Sequence, residues 1–168
     1  MEKAYKTCIE IFEQRGYSIL ETDDERILAI KPDGYQICAF LTNTTKKLNI
    51  NVIQECIYSM KQMEINHAFI IYKEFATPVA KKVIEDSDKM VIELFSEDEL
   101  QYNCTKHYLV PKHELLYKKD TEEAKEFRKN KFPLMLKTDP IARFYGYKAG
   151  DIIKITRKNG TIMYRIVR

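Results

Sequence analysis

The sequence predicts an α+β protein in two parts: a mixed sheet covered by helices over residues 1–103, and a smaller α+β unit over residues 104–168. Three observations predict this. Apolar runs of strand length alternate with stretches of helical periodicity through the first hundred residues. The charge changes sign along the chain: residues 1–100 hold 12 Lys and Arg against 18 Asp and Glu, a net of −6, whereas residues 101–168 hold 16 against 7, a net of +9. Close to that change, Pro111 interrupts the apolar-centred stretch of residues 107–113, where a central strand cannot continue.

The first part reads in order as helix, hairpin, helix, strand, helix, strand. Tyr5, Cys8, Ile9 and Phe12 recur at helical spacing over residues 2–15, and Gly16 suits the position just past the helix end. Residues 26–30 and 36–41 are apolar runs separated by Pro32-Asp33-Gly34, which is turn chemistry and predicts a hairpin. Their near-continuous apolar character predicts a sheet covered on both faces. Asn51 is placed to cap a second helix reaching about Glu64, with a stripe of Ile53, Cys56, Ile57, Met60 and Met63. Residues 67–72 form a short buried strand. Thr77-Pro78 combines an N-cap with proline in the first helical position and opens a third helix. Residues 90–95 are a further strand, and Ser96 with Glu99 has capping-box spacing.

In the second part, residues 107–111 read as an extended segment or edge strand that stops at Pro111. Asp120 with Glu123 predicts a boxed helix to about Asn130, ended by Phe132-Pro133. Asp139-Pro140 starts a short helix that Gly146 stops. Residues 151–156 and 161–167 are strands joined at Asn159-Gly160, the strongest short-range hairpin signal in the chain.

The totals narrow the function classes. Across 168 residues, 45% hydrophobic and 32% charged residues describe a globular chain. No apolar run approaches the roughly 20 residues that span a bilayer, and the N-terminus lacks signal-peptide architecture, so an intracellular protein without a membrane partner is expected. Cys8, Cys38, Cys56 and Cys104 show neither zinc spacing nor a close pair, and read as small buried hydrophobes. The sequons at Asn43, Asn103 and Asn159 are chance matches in that setting. Cys104, His107 and His113 fit no common zinc pattern; hydrogen bonding to backbone groups is the expected role of both rings, and a structural role is expected of His67. No cofactor is expected. A nuclease would need clustered carboxylates and a lysine to hold Mg²⁺ and activate water. Pro32-Asp33 opens such a motif, but residues 36–41 contain neither. Phosphate-binding glycine loops and nucleophile elbows are also missing.

Several linked motifs carry a family resemblance. They are His107-Tyr108-Leu109-Val110-Pro111-Lys112-His113, Arg15-Gly16-Tyr17, Thr77-Pro78 with Ala80, residues 139–146 (Asp-Pro-Ile-Ala-Arg-Phe-Tyr-Gly), and the closing Tyr164-Arg165-Ile166-Val167. In this order they resemble the fifth subunit of eukaryotic nuclear RNA polymerases, a family with archaeal counterparts. The short length, divergent first part and high Lys, Ile and Tyr content point to a viral or otherwise divergent homologue.

The resemblance implies an N-terminal jaw domain of restriction-nuclease-like topology and a C-terminal assembly domain. It implies a subunit with no catalytic residue and no metal, docked on the largest polymerase subunit among the others, with its jaw beside downstream duplex DNA. The implied assembly residues are His107, Val110, Pro111, His113, Asp139, Pro140, Arg143, Gly146, Tyr164 and Arg165. Arg143 is the expected anchor, because a planar guanidinium suits a buried carboxylate or carbonyl. The acidic jaw argues against a broad phosphate-binding surface, so weak, local DNA contact is expected at Lys73, Thr77, Pro78, Lys81 and Lys82. A solvated helix face is the alternative for those lysines, and a salt bridge within the domain is the alternative for Arg143. The expected compartment is the nucleus for a cellular protein, or host cytoplasm or virion for a viral one. A freestanding DNA-binding protein is the rival reading, invited by the +9 second half and by Lys118, Lys119, Lys125, Arg128, Lys129 and Lys131.

Overall fold

A computed structural model describes residues 1–42, 47–87 and 89–168; Asn43, the first of the sequons, lies outside them. The chain divides into two compact units, Met1–Tyr102 and Asn103–Arg168.

The first unit opens with α1 (Glu2–Gln14), whose stripe of Ala4, Thr7, Cys8, Ile11 and Phe12 is buried. Three antiparallel strands follow: β1 (Ser18–Thr22), β2 (Arg26–Ile30) and β3 (Gln36–Leu41). The expected turn joins β2 to β3. Gly34 takes a φ of 84°, its N–H donates to the Lys31 carbonyl, and the Asp33 carboxylate accepts the Tyr35 N–H. Next come β4 (Lys47–Leu48), α2 (Ile50–Gln62), β5 (His67–Tyr72), β6 (Phe75–Ala76), α3 (Pro78–Glu85) and β7 (Val91–Ser96).

The five-stranded sheet has the order β1-β2-β3-β5-β7, with β3, β5 and β7 parallel, so it is mixed as expected. On one face, Ile53 and Cys56 of α2 and Ala80 of α3 pack on Ile70. On the other, Phe12 of α1 packs on Phe69, which packs on Phe95, with ring centroids 5.0 and 4.8 Å apart. Double coverage explains why β5 is almost continuously buried.

The second unit begins with a 3₁₀ turn at Cys104–Lys106. It continues through β8 (Lys112–Tyr117), α4 (Glu122–Phe127), β9 (Leu134–Met135), α5 (Pro140–Tyr145), β10 (Ile152–Thr156) and β11 (Ile162–Val167). Its sheet runs β8-β10-β11-β9, antiparallel except for the β11–β9 pair. Ile141 and Ala142 of α5 pack on one face, with Ile153, Ile155, Val167 and Met135. The other face carries an aromatic cluster in which Phe127 of α4 meets Tyr117, Phe132 and Tyr164 at 5.8, 4.6 and 5.1 Å. Buried Asp151 ties two loops together by accepting the Lys119 N–H at 2.9 Å and the Lys148 N–H at 2.7 Å. Arg128 adds bonds to the Gly150 and Lys119 carbonyls.

Cys104, read with the other cysteines as a buried hydrophobe, is only half-buried, and four details of the secondary structure differ from the sequence reading. β1 has no counterpart in it, because the strand's side chains are mostly exposed and give no apolar signal. Asn49, not Asn51, caps α2 and accepts the Val52 N–H, because the two-residue β4–β6 ladder holds Leu48 extended immediately before it. Thr121, not Asp120, caps α4, since Asp120 lies inside the turn that bonds Thr121 to Lys118, and the helix stops at Phe127. Finally, the strand near Pro111 starts after the proline rather than ending there. Residues 107–110 form a turn in which the Val110 N–H donates to the His107 carbonyl.

Candidate functional site

Residues 139–146 fold into a helix whose two ends are fixed by local chemistry. Asp139 is extended and its carboxylate accepts the Ile141 N–H at 2.9 Å, while Pro140 occupies the first helical position. At the other end Gly146 has a φ of 69°, its N–H donates to the Arg143 carbonyl, and the Tyr147 N–H donates to that of Ala142. This pair of bonds is a Schellman cap, and it needs the left-handed glycine. The helix buries Ile141, Ala142 and Phe144, which leaves Arg143 half-buried and Pro140 exposed.

Around this helix the fold gathers several of the sequence-selected residues. The 3₁₀ turn packs beside α5, with the Cys104 thiol 3.9 Å from the Pro140 carbonyl. The His107 ring accepts the Leu109 N–H, and His113 Nδ1–H donates to the Pro111 carbonyl at 2.8 Å, so both rings pin their own segment as expected. Burial holds His113 below the usual imidazole range, aided by Arg165 and opposed by the Pro111 carbonyl and the Asp139 carboxylate. Arg165 pairs across the sheet with Ile153, on the α5 side, and its Nη1 donates to the Leu134 carbonyl. Tyr164, its neighbour in sequence, belongs to the aromatic cluster on the opposite face. Val110 packs on the α5 core.

In the first unit, Thr77 caps α3 by accepting the Ala80 N–H at 3.2 Å, with Pro78 in the first turn. Its own N–H donates to Leu48, extending the β4–β6 ladder to the helix start. Lys81 and Lys82 are exposed on α3, and Lys73 is half-buried in the segment leading to β6.

One charged cluster in this unit has no signature in the sequence. Arg15 makes two bonds to Glu93, at 2.7 and 2.9 Å, and lies over the Phe69 ring at 4.8 Å. His67 Nε2 donates to Glu93 at 2.8 Å. Burial pushes the Glu93 carboxyl up, but Arg15 and His67 together outweigh it and hold the group at about 2. The partners are far apart along the chain, so only tertiary pairing reveals them.

Three basic positions in and just beyond α4 are engaged within the unit. Lys125 pairs with Glu122, Lys129 pairs with Glu126, and Arg128 is spent on two backbone carbonyls. Among the described residues, no helix is long and apolar enough to cross a membrane.

Comparison with known proteins decides the family. Residues 102–167 match the family model described as RNA polymerase Rpb5, C-terminal domain. A protein of Invertebrate iridescent virus 6, provisionally named as a DNA-directed RNA polymerase subunit, is 34% identical, with 99% of this chain and 98% of the relative covered. This chain belongs to the Rpb5 family of RNA polymerase subunits. The Rpb5-family member of Dictyostelium discoideum named as a subunit of RNA polymerases I, II and III is 34% identical over 73% of this chain and 67% of its own. An Arabidopsis thaliana protein named DNA-directed RNA polymerase subunit 5-like protein 1 is 27% identical over 95% of this chain and 89% of its own. A solved restriction-modification enzyme, the ATP-dependent Type ISP enzyme LlaBIII bound to DNA, aligns with 85% of this chain and 12% of its own. Its TM-score is 0.48 at 16% identity.

Proposed function

We propose that this chain is a non-catalytic subunit of a multi-subunit DNA-directed RNA polymerase. Residues 104–168 dock it on the largest subunit, among the other subunits, and residues 1–103 act as a jaw that supports downstream duplex DNA during transcription. The observation that carries this reading is the doubly capped helix of residues 139–146, set beside the Cys104–Lys106 turn and with Val110 packed on its core, within a unit that matches the Rpb5 C-terminal domain. The mechanism is positional. A stable subunit interface buries about 1,600 Å² in total, and a helix with both ends locked presents its outer residues at little cost in entropy.

Arg143 is the proposed anchor, with His107, Val110, Pro111, His113, Asp139, Pro140, Gly146 and Arg165 shaping the surface around it. Tyr164 supports that surface from behind the sheet. DNA contact is weak and local, through Lys73, Lys81 and Lys82 near the capped start of α3 at Thr77 and Pro78. Its non-catalytic character is supported by β3, whose residues 36–41 carry no acidic side chain and no lysine.

Co-expression with the catalytic subunits of the same source tests the reading. The tagged chain is expected to recover the largest subunit stoichiometrically, and Arg143→Ala to weaken that recovery. A chain that recovers no polymerase, yet binds duplex DNA alone with a steep salt dependence, would replace this reading with a freestanding DNA-binding protein.

A further inference from the structure

Tyr108 and Leu109 are the two most exposed large apolar side chains among the described residues, at 69% and 70%. Their exposure does not come from a loose loop. The His107 ring accepts the Leu109 N–H at 3.3 Å, the Val110 N–H closes the turn on the His107 carbonyl at 2.9 Å, and the His107 and Tyr108 rings lie 4.9 Å apart. The turn is therefore locked with its apolar side chains outward. Neighbouring apolar side chains held outward in this way offer a surface for a partner to cover.

The chemistry of the rim says what covers it. The tip of the β10–β11 hairpin lies beside this turn, with Lys158 Nζ 5.8 Å from the Tyr108 ring centroid. Lys112 pairs in register with Thr156, which places the start of β8 at the same end of the sheet as Arg157 and Lys158. Residues 103–113 and 152–168 together contain seven Lys and Arg and no Asp or Glu. Of the two carboxylates that flank these segments, Glu114 is paired with Lys112 and Asp151 is spent on backbone N–H groups. An apolar pair inside a cationic rim complements an acidic segment that carries an apolar side chain. A leucine beside the tyrosine favours a polypeptide over nucleic acid, because bases stack on rings and gain little from an aliphatic side chain.

The geometry points to Tyr108 and Leu109, rimmed by Arg157 and Lys158, as a docking surface for an acidic, apolar-bearing polypeptide segment of the polymerase subunit that receives α5. The surface adjoins the α5 motif through the 3₁₀ turn of Cys104–Lys106. It has the proposed docking as its premise and adds the identity of the partner's chemistry. Tyr108 and Leu109 supply the buried anchors, and the cations supply register and salt-sensitive association.

The test is binding of the full chain to purified polymerase core lacking this subunit, at low and high salt. Tyr108→Ala/Leu109→Ala is expected to weaken binding at least tenfold at both salts. Arg157→Glu/Lys158→Glu is expected to weaken it severalfold at low salt, with the difference shrinking at high salt. Unchanged melting temperatures would separate these effects from misfolding. Wild-type chain that fails to bind the core would overturn the docking proposal itself. Wild-type chain that binds, with both variants binding equally well, would overturn the docking surface alone. Variants that bind the core normally but lose affinity for a single-stranded oligonucleotide would reassign the patch to nucleic acid.

Discussion

Removing the charge of Glu93 should cost the first unit about 3 kcal/mol at neutral pH, and two routes give that figure. In the first, a carboxyl held at about 2 when folded, against 4.5 in the unfolded chain, contributes about 3 kcal/mol above both values. In the second, Glu93→Gln removes the negative charge that accepts two bonds from Arg15, whose side chain is only 7% exposed. Breaking such a pair by losing one partner costs about 3–5 kcal/mol. Gln still accepts one hydrogen bond, which favours the lower end.

The pH dependence has a definite sign. Between about 4.5 and 2 the unfolded chain carries a proton on Glu93 that the folded chain does not, so stability from this group rises with pH across that window. It is complete above 4.5 and is lost as pH falls toward 2. Urea unfolding followed through the methyl signals of Ile70 and Ile71 reads this unit alone, since both are fully buried within β5. The difference between wild type and Glu93→Gln should be about 3 kcal/mol at pH 7 and much smaller near pH 2. A difference below about 1 kcal/mol at pH 7, or one unchanged down to about pH 2.5, would refute the reasoning.

Three further outcomes follow from the structure. Gly150→Ala would force a side chain into a φ of +94° and place its Cβ 2.9 Å from the Lys119 Cβ, so the second unit should lose about 2 kcal/mol in thermal unfolding. The same change at Gly160, where nothing lies within 4 Å, should cost distinctly less. Asp151→Ala strips the acceptor from two backbone N–H groups and should cost about 2–4 kcal/mol by the same measurement. A thiol reagent at neutral pH should label Cys104 first in the native protein, as read by mass spectrometry. Cys8, Cys38 and Cys56 are buried, and burial pushes the Cys38 and Cys56 thiols up to about 12.

How much of this is legible in the sequence depends on the range of the interaction. Thr77-Pro78, Asp139-Pro140 with Gly146, the Ser96–Glu99 box and Asn159-Gly160 each carry their instruction within a few residues, and each folds as read. The caps that differ lie where other pairing moves a boundary. The β4–β6 ladder shifts the start of α2 to Asn49, and the Lys118–Thr121 turn moves the start of α4. β1 stays hidden because an exposed strand has no apolar alternation to show. The motif of residues 139–146 is visible as a motif, and its helix is visible as a helix. The exposure of Tyr108 and Leu109 is not, because an apolar pair before a proline looks the same in sequence whether it faces inward or outward.

The place of β11 in the second sheet has a consequence for biosynthesis. It comes last in the chain order of that unit, yet it lies inside the sheet, between β10 and β9. Before it is made, β9 has no neighbour in this sheet and β10 presents an open edge. β8 and β10 can pair earlier, but the sheet cannot close before β11 is made. It is completed in one late step, with Val167 entering the core that supports α5. A nascent chain has no finished α5 core, so under the proposed docking, partner binding should begin only after synthesis has passed the closing strand.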